Sequence, residues 1–187
     1  MDKPETLDSK EMSALFRLLD DPDEDIYNSI SDRLLHYGTP IIPQLEHLWE
    51  TTINESTLER IEMMIYKLRF QDLKEAFLEW KNHSEDSLLE GALLVTRFHF
   101  PELALDTLRH QVEKIRRNIW LELNNYLTPL EQANVLRNIL FNYYQIKGNE
   151  VNYEHPEQFL ISSPLQAKKG NAFANAVLYQ ILCTQLE

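Results

Sequence analysis

Apolar residues recur three and four positions apart along most of this chain, which is the spacing of one face of an α-helix. Leu15, Leu18 and Leu19 begin the pattern, and it returns in one segment after another as far as Leu140. Strict alternation of apolar and polar residues is scarce, and the chain contains only 4 glycines. These features predict an all-α fold.

Capping residues predict where several of the helices begin and end. Asp21-Pro22-Asp23-Glu24 places a side-chain acceptor, a proline and an acid in the order typical of a helix start, with Asp21 as the cap. Thr128-Pro129-Leu130-Glu131 repeats this order. Asn54 and Ser84 are further predicted caps, and Gly38 is suited to end a helix.

Predicted helix starts near residues 9, 40, 71 and 101 suggest a weak internal period of about 30 residues. The segment LLDDPDEDIYNSISDRLLHYGTPIIPQL, residues 18–45, resembles a HEAT-type helical repeat. One helix pair of this size cannot bury both of its faces, so such units stack. We therefore predict that residues 1–144 form one domain of HEAT-like repeats, arranged as a curved α-solenoid or an irregular bundle.

The pattern changes after residue 144. Residues 145–169 contain glycine, prolines and one short apolar piece, which predicts a long loop with one helical turn. We expect Gly148 to adopt a positive φ in a turn. Residues 172–186 are apolar around the whole circumference, which is typical of a helix that is buried on all sides. This helix is predicted either to fold back against the bundle or to pair two copies of the chain.

Composition restricts the partners and the compartment. A formal net charge of −12 argues against nucleic acid and anionic membranes as partners. No apolar stretch reaches the roughly 20 residues needed to span a bilayer. The N-terminus lacks the apolar core of a signal peptide, and a single cysteine excludes an internal disulfide and fits a reducing compartment. We expect a cytoplasmic protein.

Charged and histidine residues give weaker indications. The six histidines form no metal-ligand spacing, so no metal and no cofactor are predicted. The basic run from Arg109 to Arg117 is either a solvated helix face or a site for an acidic partner, and binding of nucleic acid through it is a remote alternative. The acidic residues 20–25 lack the full ligand pattern of a calcium loop and are interpreted as capping residues.

Three segments resemble the transglutaminase-like core family of the SirB type. They are LLEGALLVTRFHFPEL, LRNILFNYYQIKGNEVNYEHPEQFL and LQAKKGNAFANAVLYQIL. The resemblance extends from about Leu15 to the end of the chain and implies a helical region followed by a core related to transglutaminases and papain-like peptidases. That core normally continues into strands with a histidine-bearing motif. Residues 145–187 are therefore expected to be the loop and first helix of a truncated core, and the chain a fragment of a longer protein.

The resemblance also implies where a nucleophile would be. Active relatives carry a cysteine two positions after a glycine, at the start of this helix, where free N–H groups and the helix dipole stabilise a thiolate. After Gly170 that position is Ala172. Cys183 lies roughly 16 Å farther along the axis, at 1.5 Å per residue. We therefore interpret Cys183 as a small buried hydrophobic residue and assign no catalytic residue.

Two hypotheses for the function remain. The first is a non-catalytic scaffold or module that binds a protein or peptide at the mouth of the degenerate core. The second is a cysteine enzyme of the transglutaminase or peptidase class whose remaining catalytic residues lie beyond residue 187. Capping and turn formation are the structural alternative for the residues at this mouth. The binding candidates are Asn149, Tyr153, Lys168, Gly170 and Asn171.

Overall fold

A computed structural model describes residues 9–19, 21, 23–83 and 87–186 of the chain. Over these residues the fold is predominantly helical, with one pair of short parallel strands, which confirms the predicted fold class. The chain divides into two compact units, Met1–Ala76 and Phe77–Glu187. The HEAT-like arrangement and the domain boundary after residue 144 stay predictions. None of the helices in the described part combines the length and apolar character that crossing a bilayer requires.

The first unit is built from helices whose apolar faces meet in a single cluster. Its elements are α1 (Ser9–Leu18), α2 (Glu24–Tyr37), a 3₁₀ turn (Thr39–Ile41), α3 (Ile42–Thr51) and the larger part of α4 (Glu55–His83). Gly38 ends α2 with a φ of 72°, a conformation that favours glycine, and this confirms the predicted stop. The most deeply buried side chains of this unit are Leu19, Leu34, Ile41, Leu45, Ile61 and Met64.

The start of α2 differs from the prediction by two residues. The cap is Asp23, whose side chain accepts a hydrogen bond of 2.9 Å from the backbone N–H of Asp25. Asp21 instead accepts from the backbone N–H of Asp23, and its carbonyl oxygen accepts a hydrogen bond from the Arg60 guanidinium. Both aspartates can accept from an N–H two residues later, so the sequence alone did not decide which one caps the helix. Pro22 lies outside the described residues.

The predicted restart near residue 71 is wrong, because α4 is one continuous helix of 29 residues. Between Glu55 and His83 the sequence contains neither glycine nor proline, so nothing in the backbone forces a break. The 30-residue period therefore fails at this point. Asn54 accepts from the N–H of Ser56 and caps the helix as predicted. The next helix is capped by Ser87, and the predicted cap Ser84 lies outside the described residues.

The second unit contains the remaining helices and the strand pair. Its core includes Leu93, Leu108, Val112, Ile115, Ile119, Leu140, Leu165, Leu178 and Leu182. Its elements are the end of α4, α5 (Leu88–His99), α6 (Leu105–Glu122), α7 (Pro129–Arg137), a π-helical turn (Asn138–Tyr143), β1 (Lys147–Gly148), a 3₁₀ turn (Pro156–Phe159), a second π-helical turn (Ser163–Ala167), β2 (Lys169–Gly170) and α8 (Ala172–Thr184).

The segment expected to be a loop contains regular structure. It holds both strands and two short helical turns, and Gly148 lies in β1 without a positive φ, so the predicted turn at Gly148 is wrong. The left-handed residues are Gln145, with φ 55°, and Lys168, with φ 57°. Each bend therefore comes shortly before one of the two strands.

Helix α8 packs against α5 and α6 within the second unit. It therefore folds back against other helices, which was one of the two predicted alternatives. Its buried face consists of Ala174, Leu178, Ile181 and Leu182. The expectation of burial on all sides is wrong for the first turn, where Ala172 and Phe173 are exposed. Pairing of two copies through residues 172–186 stays a prediction.

Candidate functional site

The candidate site is the N-terminal end of α8. The Asn171 side chain accepts a hydrogen bond of 2.9 Å from the backbone N–H of Ala174, so the predicted cap is confirmed. Asn171 is fully buried, whereas Ala172, the first residue of the helix, is exposed. A side chain at position 172 therefore reaches solvent at the end of the helix where the partial charge is positive.

Two identical tripeptides form the strand pair that leads to this helix. Lys147-Gly148-Asn149 lies beside Lys169-Gly170-Asn171, with the two lysines opposite each other and the two glycines opposite each other. The backbone N–H of Lys147 donates to the carbonyl of Lys168 at 2.9 Å, and the N–H of Asn149 donates to the carbonyl of Gly170 at the same distance. The ladder therefore fixes residues 147–149 against the start of α8.

The backbone of β2 is also bound by side chains. Asn175 donates from Nδ2 to the carbonyl of Gly170 at 2.9 Å, and Ser163 donates from Oγ to the carbonyl of Lys169 at 2.6 Å. A methyl group on Gly170 would lie 2.6 Å from Asn175 Oδ1 and 3.1 Å from a ring carbon of Pro164. These contacts favour glycine at position 170, since a larger residue would force Asn175 or Pro164 to move, and they hold the tip of α8 in place.

Two buried amide atoms at this tip have no hydrogen-bond partner among the described residues. One is the donor Nδ2 of Asn171, and the other is the acceptor Oδ1 of Asn175. The other atom of each amide is used, since Asn171 Oδ1 caps the helix and Asn175 Nδ2 binds the carbonyl of Gly170. An unpaired buried polar group is unfavourable by about 1–3 kcal/mol. At the N-terminal end of α8, the two asparagines therefore leave one hydrogen-bond donor and one acceptor without a partner among the described residues.

Three aromatic rings, which we call the aromatic ladder, lie in contact beside the tip. The ring centroids of Tyr153 and Phe159 are 5.9 Å apart, and those of Phe159 and Phe173 are 6.4 Å apart. Tyr153 is 85% exposed and Phe173 61% exposed. The aromatic ladder thus extends from the segment after β1 to the first turn of α8 and presents apolar surface to solvent.

Lysines surround the strand pair. Lys147 and Lys169 are exposed, and neither pairs with a carboxylate of the described residues. Lys168 is half-buried, with Nζ 5.6 Å from the ring centroid of Tyr144, within cation–π range. The Tyr144 hydroxyl accepts from Asn118 Nδ2 at 2.7 Å, and burial raises the pKa of Tyr144.

The basic run on α6 is used differently, because acids of the same unit pair with its arginines. Arg109 binds Glu90 and Asp106, each at 2.7 Å, and the hydrogen bonds that it donates to Glu90 are the main cause that raises the pKa of the guanidinium. Arg116 binds Glu113 at 2.8 Å and lowers the pKa of that carboxyl. Of the two alternatives for this run, the structure favours the solvated helix face.

The structure brings the predicted binding residues together around the tip but gives them different roles. Asn149 lies beside β2 and donates to the Gln158 side chain at 3.3 Å, and Tyr153 and Lys168 make the aromatic contacts described above. Gly170 and Asn171 are both buried at the tip, where Asn171 caps the helix and Gly170 lies in β2.

The sequence interpretation missed Lys147, Lys169 and Phe173 at this site. The signal for the two lysines was the repeated Lys-Gly-Asn tripeptide, which pairs with itself in the ladder. Phe173 was assigned to the core because of its apolar neighbours, but the first turn of α8 projects beyond the packed face.

Cys183 lies at the other end of α8, in its last turn. Cys183 was expected to be buried but is only half-buried, and its thiol hydrogen-bonds with Tyr179. Burial is the main cause of a raised pKa of the Tyr179 hydroxyl. Both side chains line a groove of about 460 Å³ together with Trp120 and Leu186. Because eleven positions separate Cys183 from Ala172, this thiol takes no part in the site at the N-terminal end.

Within the described residues, no group of three or more His, Cys, Asp or Glu side chains is arranged to hold a metal ion. The arrangement at the tip of α8 instead offers ammonium groups, apolar rings and a helix end.

Comparison with known proteins gives one similarity. Residues 106–187 match the family model described as the transglutaminase-like superfamily. The matched segment runs from the start of α6 to the end of the chain and therefore contains the strand pair, Ala172 and the whole of α8. No curated protein and no solved structure matches the chain.

Proposed function

We propose that the chain is a non-catalytic module that binds a protein or peptide at the tip of a degenerate transglutaminase-like core. One observation carries this proposal: the exposed first residue of α8 is Ala172. The family resemblance implies that active relatives carry a catalytic cysteine at this position. A methyl group can neither attack a carbonyl carbon nor form a thiolate. Residue 172 therefore lies at the exposed start of the helix but supplies no nucleophile.

The thiol of the chain does not replace the missing one. Cys183 lies in the last turn of α8, where the partial charge of the helix is negative and disfavours a thiolate. Its described hydrogen bond is to a tyrosine, and a tyrosine with a raised pKa is a poor base at neutral pH. These observations support the hypothesis of a non-catalytic module over that of a cysteine enzyme.

The surface around the tip supports binding. Exposed aromatic side chains are enriched at protein interfaces, and Tyr153 and Phe173 are both exposed beside the helix end. The strand pair and the packing around the buried Gly170 fix the first turn of α8, which carries Phe173, and this lowers the entropic penalty of binding there.

The finer parts of the proposal rest on the sequence. We assign the chain to the SirB-type branch on the three segments quoted above, and we place HEAT-like repeats before the core. A cytoplasmic location is supported by the single cysteine, since oxidising compartments favour paired cysteines.

Enzyme assays and a binding screen together test the proposal. Incubation with generic peptide, ester and amide substrates should give no turnover above that of a Cys183→Ala variant, while an array of random peptides should give reproducible binding. Turnover that Cys183→Ala abolishes would contradict the non-catalytic reading. An array without a single bound peptide would contradict the binding role.

A matched variant tests the position of the tip. Ala172→Cys, made in the Cys183→Ala background, should react with iodoacetamide roughly tenfold faster than Cys183 does in the unmodified chain. A helix N-terminus and exposure both favour the thiolate. Equal rates would show that residue 172 does not lie at an accessible, positively polarised helix end.

A further inference from the structure

The two exposed lysines of the strand pair are held close together without a neutralising partner. Lys147 lies opposite Lys169, and neighbouring strands are about 4.8 Å apart. Like charges at opposite positions destabilise a ladder. Within the described residues no carboxylate pairs with either side chain, although the chain carries a net charge of −12. A ligand with negative charge would relieve this repulsion.

The end of α8 adds to the attraction for an anion. Its free backbone N–H groups and its dipole favour negative charge. An independent observation points the same way, since the fully buried Asn171 keeps its Nδ2 donor unpaired at this helix end. The unpaired acceptor Oδ1 of Asn175 lies on the same turn. A simple anion satisfies a donor only, whereas a peptide backbone also supplies N–H groups for an acceptor.

The aromatic ladder supplies the apolar half of a binding surface. Phe173 follows the first residue of α8 directly and contacts Phe159, which in turn contacts Tyr153. The exposed rings of Phe173 and Tyr153 can cover an aromatic or aliphatic side chain, since ring pairs contribute roughly 0.5–1.5 kcal/mol beyond their area.

We propose that the tip of α8 binds an acidic peptide segment, with its carboxylates on Lys147 and Lys169 and an apolar side chain on the aromatic ladder. The inference rests on the proposed binding function and names the chemistry of the partner. Lysines beside exposed rings also suit single-stranded nucleic acid. The charge of −12 favours the peptide, because a nucleic acid carries a negative charge on every nucleotide, whereas an acidic segment with apolar residues between its carboxylates carries fewer charges and is repelled less.

The acids near the strand pair do not cancel the lysines. Glu157 Oε1 lies 3.0 Å from Nδ1 of His155 and forms no ion pair with either lysine within the described residues. Glu150 and Glu154 are exposed and form no ion pair with Lys147 or Lys169 in the described part of the chain. Glu150 lies two residues after β1, so Glu150→Gln should strengthen binding of an acidic peptide by a small factor and is a useful opposite control.

Fluorescence anisotropy with labelled peptides on the full chain tests the inference. The probe is a peptide that alternates glutamate with phenylalanine, compared with versions in which each glutamate is replaced by glutamine or by lysine, and with a deoxythymidine oligonucleotide of similar length. The glutamate peptide should bind at least tenfold more tightly than the glutamine peptide. Its affinity should fall as the salt concentration rises, because exposed charges are screened.

Charge reversal locates the site. Lys147→Glu combined with Lys169→Glu should weaken the glutamate peptide at least tenfold. Lys67→Glu combined with Lys74→Glu changes two exposed lysines of the first unit by the same charge and should change affinity less than twofold. Phe173→Ala should weaken the glutamate–phenylalanine peptide more than a glutamate–serine peptide. Circular dichroism confirms that each variant is folded.

The outcomes separate this inference from the proposed function. If peptides bind but charge makes no difference, or if the control lysines matter as much as Lys147 and Lys169, the inference is wrong and the binding role survives. If no peptide binds, including those of the random array, both are wrong. If the oligonucleotide binds more tightly than every peptide, the class of partner is wrong.

Discussion

At the scale of single residues, identical tripeptides place the same amino acids under different constraints. Gly148 and Gly170 occupy equivalent positions in the strand pair. A methyl group on Gly170 would lie 2.6 Å from Asn175 Oδ1, whereas one on Gly148 would meet nothing within 4 Å in the described part of the chain. The close packing on one side of the ladder thus depends on only one of the two glycines.

Alanine substitution should separate the two glycines. Gly170→Ala should lower the free energy of unfolding by about 1–3 kcal/mol, because the added methyl group forces Asn175 or Pro164 to move. Gly148→Ala should change it by less than about 0.5 kcal/mol, since its surroundings are open. Urea unfolding followed by circular dichroism measures both values. Equal effects in the two variants would show that the contacts at Gly170 are not tight.

Part of the site could be predicted at this scale. Asn171 as a cap and Ala172 as the first helical residue followed from local signals, since a cap depends on residues within one helical turn. The pairing of Lys147 with Lys169 joins positions 22 residues apart. Register of this kind depends on how the intervening chain folds, and the exposure of Phe173 depends on where α8 meets its neighbours.

At the scale of secondary-structure elements, capping residues predicted where helices begin and end more reliably than the apolar pattern predicted whether a helix continues. The Gly38 stop, the Asn54 cap and the Thr128 capping box are confirmed. The false break near residue 71 came from grouping apolar residues into repeats, although no residue there stops a helix. The strand pair was missed because strands of two residues are too short to show an alternating pattern.

The capping box at the start of α7 should make stability depend on pH. Glu131 accepts hydrogen bonds from the backbone N–H and the hydroxyl of Thr128 at 2.8 and 2.7 Å, and the backbone bond is the main cause that lowers the pKa of its carboxyl. A carboxyl whose pKa is lower in the folded state stabilises the fold above its unfolded pKa, about 4.3. That contribution is lost as the pH falls through the lower folded value.

Glu131→Gln keeps a side chain suited to the capping box but removes the charge. The melting temperature of the unmodified chain should therefore exceed that of this variant at pH 7, and the difference should shrink below about pH 4. Thermal unfolding at a series of pH values measures it. In a Thr128→Ala background the pH-dependent part of the difference should shrink but persist, because the hydroxyl is lost while the backbone N–H of residue 128 still donates to Glu131. A difference that is the same at pH 7 and pH 3 would show that the charge of Glu131 does not contribute.

At the scale of the whole molecule, helical periodicity predicted the class of fold, and the structure adds a division of the chain into two compact units. The two units have hydrophobic clusters with no residue in common, and the division falls inside α4, where the sequence shows no linker. Linkers are predicted from glycine, proline and polar residues. A division within a continuous helix gives no such signal.

Separate cores should give separate responses to a cavity. Leu178 belongs to the cluster of the second unit and Leu45 to that of the first, and each is almost fully buried. Either leucine-to-alanine change should destabilise its own unit by about 2–5 kcal/mol. Leu178→Ala should accelerate amide hydrogen exchange in α5, α6 and α8 and leave α2 and α3 protected, whereas Leu45→Ala should do the reverse. Since α4 crosses the division, its amides will show where each cooperative unit ends. If both variants accelerate exchange equally throughout the chain, the two clusters unfold as one.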